Sequence, residues 1–104
     1  MDYRDLLAYK KSFALAMRIF DISKQFPKEE QYSLTDQIRR SSRSVTVTIT
    51  ESYRKRRYPK NFLSKLTDAE AENSETQVWL DFSIACGYIK EAEYEELTAI
   101  NNEV

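Results

Sequence analysis

Val45-Thr46-Val47-Thr48-Ile49-Thr50 is the stretch on which the architecture turns. Six consecutive β-branched side chains are stiff in a helix and suit a pleated surface, and their strict apolar–polar alternation is the pattern of a half-buried strand. The flanks say otherwise. Leu34, Ile38, Val45, Ile49 and Tyr53 form a stripe about 100° wide at helical spacing, with Ser41 and Ser42 in the intervening turn. Local propensity points to a strand and the longer periodicity to a helix, so these residues alone leave the two level.

The outcome decides where charge goes. Eight of the sixteen Lys and Arg residues lie between Arg39 and Lys60: Arg39, Arg40, Arg43, Arg54, Lys55, Arg56, Arg57 and Lys60. If residues 33–57 coil as one helix, Arg39, Arg43, Arg54 and Arg57 fall within about 60° of one another, about 130° from the centre of the apolar stripe. One exposed face then meets successive phosphates of a nucleic acid, with Lys55 and Lys60 adding charge and the Tyr53 and Tyr58 rings available to unpaired bases. The rival reading pairs Arg39 or Arg40 with Glu51, Glu72 or Glu75, within the fold or between subunits, and makes both tyrosines packing residues. An arginine turned inward requires such a partner.

Outward from this segment, helical spacing continues. Leu6, Tyr9, Phe13, Ala16 and Phe20 form one stripe and Leu15, Ile19, Ile22 and Phe26 an adjacent one, predicting a first helix with a broad buried face. Pro27 stops it, Pro27 to Tyr32 make the connection, and Ser33 is a candidate N-cap for the second helix, with Asp36 in its first turn. Tyr58-Pro59 closes that helix, and Pro59 suits the first turn of a third that carries Phe62, Leu66, Ala69, Asn73, Thr76, Leu80 and Ile84. The polar run from Asn73 to Gln77 predicts a buried hydrogen-bonded layer or a subunit contact. Gly87, the only glycine, is placed as a C-cap, and a short fourth helix follows with Leu97, Ile100 and Val104 beside Glu91, Glu93, Glu95 and Glu96.

Length and composition fit that plan. A chain of 104 residues, 32% charged and 41% hydrophobic, is one globular domain over 1–104, and one glycine with two prolines means few, long elements. The charge is divided: residues 1–60 carry fourteen Lys/Arg against seven Asp/Glu, and residues 61–104 carry two against ten. Oppositely charged helix faces that meet, or a basic side turned to nucleic acid, both explain the division. No apolar run approaches the roughly 20 residues of a membrane span, and Asp2 and Asp5 do not suit a signal peptide, so a cytoplasmic, membrane-free protein is expected. The single Cys86 excludes an internal disulfide and reads as a small packing residue rather than a nucleophile.

Enzymatic chemistry finds little support. With no histidine there is no imidazole base, no Ser-His-Asp arrangement and no Glu-x-x-His pair for a di-iron bundle. Glu70, Glu72, Glu75 and Asp81 read as a solvated acidic face rather than a metal site. No phosphate-cradling glycine loop is present, and no cofactor or catalytic residue is expected.

Several stretches resemble a known family. Gln37-Ile38-Arg39-Arg40-Ser41, then Ile49-Thr50-Glu51, then Tyr53-Arg54-Lys55-Arg56-Arg57-Tyr58, are similar to the four-helix bundle proteins known as 23S rRNA-intervening sequence proteins. The resemblance extends through Phe62, Lys65-Leu66-Thr67-Asp68, the run from Glu72 to Leu80, and Cys86-Gly87-Tyr88-Ile89, and includes Phe26-Pro27-Lys28-Glu29-Glu30. It covers nearly the whole chain. It implies an all-α, antiparallel up-down-up-down four-helix bundle, commonly a closed homopentamer, without established enzymatic activity, and it favours helix for the disputed run. The related accessory proteins of diversity-generating retroelements work with a reverse transcriptase and nucleic acid. The β-branched content of Thr46 to Thr50 and a fourth helix ending at Val104 depart from the family's usual pattern. The expectation is a self-assembling, non-enzymatic protein associated with RNA or DNA; a protein-interaction scaffold is the alternative.

Overall fold

The computed structural model describes residues 2–104 and builds four helices: α1 Leu7–Ser23, α2 Leu34–Arg54, α3 Pro59–Ala85 and α4 Glu91–Glu103. Single 3-10 turns, Tyr3–Asp5 and Lys28–Glu30, precede α1 and α2. The β-branched run lies within α2. Tertiary partners overrule its propensity, because each side chain has somewhere to go on a helix. Val45 and Ile49 are buried, whereas Val47, which a strand would place beside them, is exposed. The Thr46 hydroxyl donates to Ser12 Oγ on α1 at 2.9 Å and Thr48 donates to Glu72 Oε1 on α3 at 2.7 Å. Thr50 donates back to the Thr46 carbonyl at 3.1 Å. The alternation that imitates a strand is thus spread over three sides of one helix.

In the antiparallel bundle, α2 packs on α1 and α3, and α4 packs on the same two helices, so the four stand at the corners of a square in chain order. The long axis of 44 Å is set by α3, whose 27 residues extend about 40 Å at 1.5 Å per residue. The α1–α2 side therefore lies opposite the α3–α4 side. The main core is Leu15, Ile19 and Ile22 of α1, Ile38 of α2, Leu80 of α3, Leu97 of α4 and Ile89 before it. A smaller cluster of Val45, Ile49 and Ala69 lies toward the other end.

Four details differ from the sequence reading. First, α2 ends at Arg54, since Lys55 leaves helical geometry at φ −97°, ψ 10°, and residues 33–57 are not one rod. Second, Ser33 occupies the N-cap position with no side-chain cap bond; the Leu34 N–H donates to Glu30 Oε1 at 3.3 Å instead. Third, of the first α1 stripe only Ala16 is buried, and Phe13 is 49% exposed. The small residues Ser12, Ala16 and Ser23 are buried on α1 with Ile19, and Ser12 and Ser23 bond to Thr46 and Arg39, so α2 approaches along that line and leaves Phe13 outside. Fourth, Cys86 is exposed rather than packed.

The polar middle of α3 is a hydrogen-bonded layer. Thr76, fully buried, is 2.9 Å from Ser41 of α2, and Asn73 and Asn101 exchange bonds, each amide nitrogen donating to the other's backbone carbonyl at 3.0 and 3.2 Å. Gly87, at φ +77°, closes α3 in a Schellman turn, with the Tyr88 N–H donating to the Ser83 carbonyl and the Gly87 N–H to that of Ile84.

Candidate nucleic-acid interface

The basic segment divides into two groups, one midway along α2 and one where α2 ends and the chain turns into α3. Arg39, Arg40 and Arg43 lie midway along α2. Arg39 is half-buried: its Nε donates to Ser23 Oγ at 2.8 Å, and its guanidinium stands 4.8 Å from the Phe20 ring centre. Arg43 approaches the same ring at 5.5 Å, and Lys24 at 4.8 Å. Three cations therefore share one ring; Lys24 is also paired with Asp21 at 3.6 Å, whereas Arg39 and Arg43 are held against α1 without an anion among the described residues. Arg40 is spent differently, on Glu75 at 3.2 Å and Gln37 at 2.7 Å, as the rival reading had it. Beside these arginines an open hollow of about 790 Å³ is bordered by Phe20, Tyr32, Asp36, Val47 and Glu51.

The second group occupies the α2–α3 corner. Arg54, the last residue of α2, stands 5.7 Å from the Tyr3 ring, and Arg56 covers the Tyr53 ring at 4.1 Å while donating to the Tyr53 carbonyl at 3.0 Å. Lys55, Arg57, Tyr58 and Lys60 are exposed. Arg39, Arg43 and Arg54 keep the common angular sector that helical spacing gives them, but Arg57 lies past the end of α2 and leaves it. Arg43 and Arg54 are eleven residues apart, about 16 Å along the axis. Among the described residues none of Arg54, Lys55, Arg56, Arg57 and Lys60 is ion-paired, whereas Arg4, Lys11, Arg18, Lys24, Arg40 and Lys65 all are.

Of the four acidic residues weighed as metal ligands, three serve the bundle and Glu70 is exposed. Glu72 accepts from Thr48, Glu75 from Arg40 and Trp79 Nε1, and Asp81 from Tyr94 at 2.6 Å and Gln77. The perturbed tyrosines lie outside the basic groups. Tyr88 donates to Glu30 Oε2 at 2.9 Å, and that bond to a carboxylate pushes its pKa up to about 12. Tyr94 is raised in the same way by Asp81. Sequence reading counted Arg56 in the basic run and Phe20 in the first α1 stripe but assigned neither to the site; the role of Phe20 depends on where α2 crosses α1.

No helix among the described residues is long and apolar enough to cross a membrane. The model of the 23S rRNA-intervening sequence protein family matches residues 4–104. A crystal structure of a protein of unknown function from the S23 ribosomal protein family of Bacteroides thetaiotaomicron superposes with a TM-score of 0.84 at 28% identity, over 93% of this chain and 90% of that one. No curated protein matches. Neither match indicates an enzyme family. The match to the family model over nearly the whole length, on a bundle of four helices, places this chain in the 23S rRNA-intervening sequence protein family.

Proposed function

We propose that the chain is a non-enzymatic, self-assembling bundle of the cytoplasm that binds nucleic acid, RNA in particular, through its α2–α3 corner. One observation carries the reading: Lys55, Arg56 and Arg57 in the turn after α2, and Lys60 in the first turn of α3, have no carboxylate partner among the described residues and stand beside Tyr58, which is 62% exposed. Like charges so close repel one another, and a polyanion relieves that repulsion while releasing its own counterions. An exposed ring adds a surface for an unpaired base, which favours single-stranded over duplex RNA. The name of the family, which mentions an intervening sequence of 23S rRNA, agrees with an RNA partner.

The test is titration of a labelled, unpaired oligoribonucleotide at two salt concentrations. Four phosphate contacts give a slope of log affinity against log salt near −2.8, or about a 50-fold loss between 50 and 200 mM. In the double variant Arg57→Glu, Lys60→Glu, at most two contacts remain and the loss shrinks to about sevenfold, from a weaker start. Absence of binding at 50 mM salt removes the reading. A second reading, a scaffold for a protein such as a reverse transcriptase, is favoured by the apolar surface that Phe13, Met17 and Val47 leave uncovered.

A further inference from the structure

Two sides of the bundle are apolar where water should meet them. Between α1 and α2 runs a groove of about 510 Å³ with walls of Tyr9, Phe13, Met17 and Val47, and with Arg43 and Arg54 at its rim. On α3, Leu63, Val78 and Phe82 are 64%, 47% and 51% exposed. The residues between them on that face, Thr67, Ala71 and Ser74, are small and also exposed, and all six lie within about 100° of one another around the helix. The first surface is concave and the second is a single convex helix. Exposed apolar surface of this kind on both sides of one small protein marks contacts with other molecules.

We infer that the α1–α2 groove receives the α3 ridge of a second copy, head to tail. Charge supports this partner: Arg43 and Arg54 line the groove with a single acid, Glu51, which Lys65 pairs at 3.3 Å. The groove belongs to the half of the chain with fourteen cations against seven acids, and the ridge to the half with two against ten. The spacing also matches. Arg43 and Arg54 are separated by eleven residues, three helical turns and about 16 Å; the exposed acids Glu70 and Asp81, at one edge of the ridge, are separated by the same eleven. Neither Arg43 nor Arg54 has an ion-pair partner among the described residues. A groove-to-ridge contact joins two different surfaces, so each added copy leaves one of each free, and assembly continues until a ring closes. This rests on the self-assembly in the reading above and names its surfaces. It also assigns Arg43 and Arg54 to the subunit contact and leaves the corner from Lys55 to Lys60 for RNA.

The experiment uses two variants on exposed sites, Phe13→Glu in the groove and Phe82→Arg on the ridge, checked for helicity by circular dichroism and weighed by sedimentation equilibrium. The unaltered chain should sediment as an oligomer and each variant alone as a monomer. Mixed in equal amounts, the two should form a dimer, since one keeps an intact ridge and the other an intact groove. Val78→Lys repeats the ridge test without disturbing the contact between the Trp79 and Phe82 rings, 5.8 Å apart. A monomeric parent, a mixture that stays monomeric, or an oligomer indifferent to Phe82→Arg and Val78→Lys overturns the inference. The variant Arg57→Glu, Lys60→Glu separates the two readings: it should assemble fully while binding RNA more weakly, and an unaltered oligomer that fails to bind RNA at low salt counts against the RNA reading alone.

Discussion

Replacing Thr48 by Val should destabilise the bundle by about 1 to 2 kcal/mol, although the two side chains are nearly the same size and close in helix propensity. Thr48 is 7% exposed, and its hydroxyl donates to the Glu72 carboxylate at 2.7 Å across the α2–α3 contact. A hydrogen bond to a charged acceptor contributes about 1.5 to 3 kcal/mol, and the added methyl group returns at most about 0.8. Half-buried Glu72 can also turn toward water, which trims the loss further. For a chain of this length the expected fall in melting temperature is roughly 5 to 15 °C. Thr50→Val is the control: its hydroxyl bonds only to the Thr46 carbonyl one turn back, so its effect should stay within about 0.5 kcal/mol. Urea unfolding followed by circular dichroism measures both, at one fixed protein concentration because the proposed assembly would tie stability to concentration. If the Thr48–Glu72 bond is the cause, Thr48→Val costs nothing in a Glu72→Ala background. An equal cost in both backgrounds, or none in either, would refute the account of why a β-branched run is helical here.

Leu80, 1% exposed in the main core, should cost about 2 to 5 kcal/mol when truncated to Ala, readable in the same urea experiment. Gly87→Ala meets no atom within 4 Å, so its whole effect is backbone strain at φ +77°, about 1 to 2 kcal/mol. Because the folded state holds the Tyr88 proton more tightly than the unfolded state does, its contribution is complete below a pH of about 10 and is lost as pH climbs through about 12. Tyr88→Phe should therefore flatten, though not abolish, the decline in urea midpoint between about pH 9 and about pH 11.5; Tyr94, raised by Asp81, supplies a remainder.

The parts of the fold visible in the sequence were those with long periodicity. Leu34, Ile38, Val45 and Ile49 are all buried, and the polar stretch of α3 does form a bonded layer with Ser41 and Asn101. Gly87 and Pro59 sit where turn chemistry puts them. What six β-branched residues could not disclose was the set of partners that reverses their propensity, because Ser12 and Glu72 are far away in sequence. The same limit explains α1. Two adjacent stripes each looked like a core, and only the approach of α2 along its small residues decides that Leu15, Ile19 and Ile22 are inside while Phe13 is not.

The basic segment was legible as composition, and its single continuous face was misread as geometry. Eight cations between Arg39 and Lys60 were plain, but one continuous face required α2 to reach Arg57, and it stops three residues earlier. In the proposed function, that early stop separates two roles within one basic segment. Cations on the helix flank an apolar groove, where a second protein copy can bury the rings between them; cations on the turn flank one exposed ring and little else that is apolar, which suits a flexible polyanion. The division makes opposite demands on two pairs of charge reversals. Arg43→Glu with Arg54→Glu should dissociate the oligomer, and should weaken RNA only through loss of multivalency, an effect that vanishes when affinity is measured per subunit with a short oligonucleotide. Arg57→Glu with Lys60→Glu should leave mass unchanged and lower that same per-subunit affinity. If both pairs move both quantities alike, the segment is one surface, and the end of α2 at Arg54 has no functional meaning.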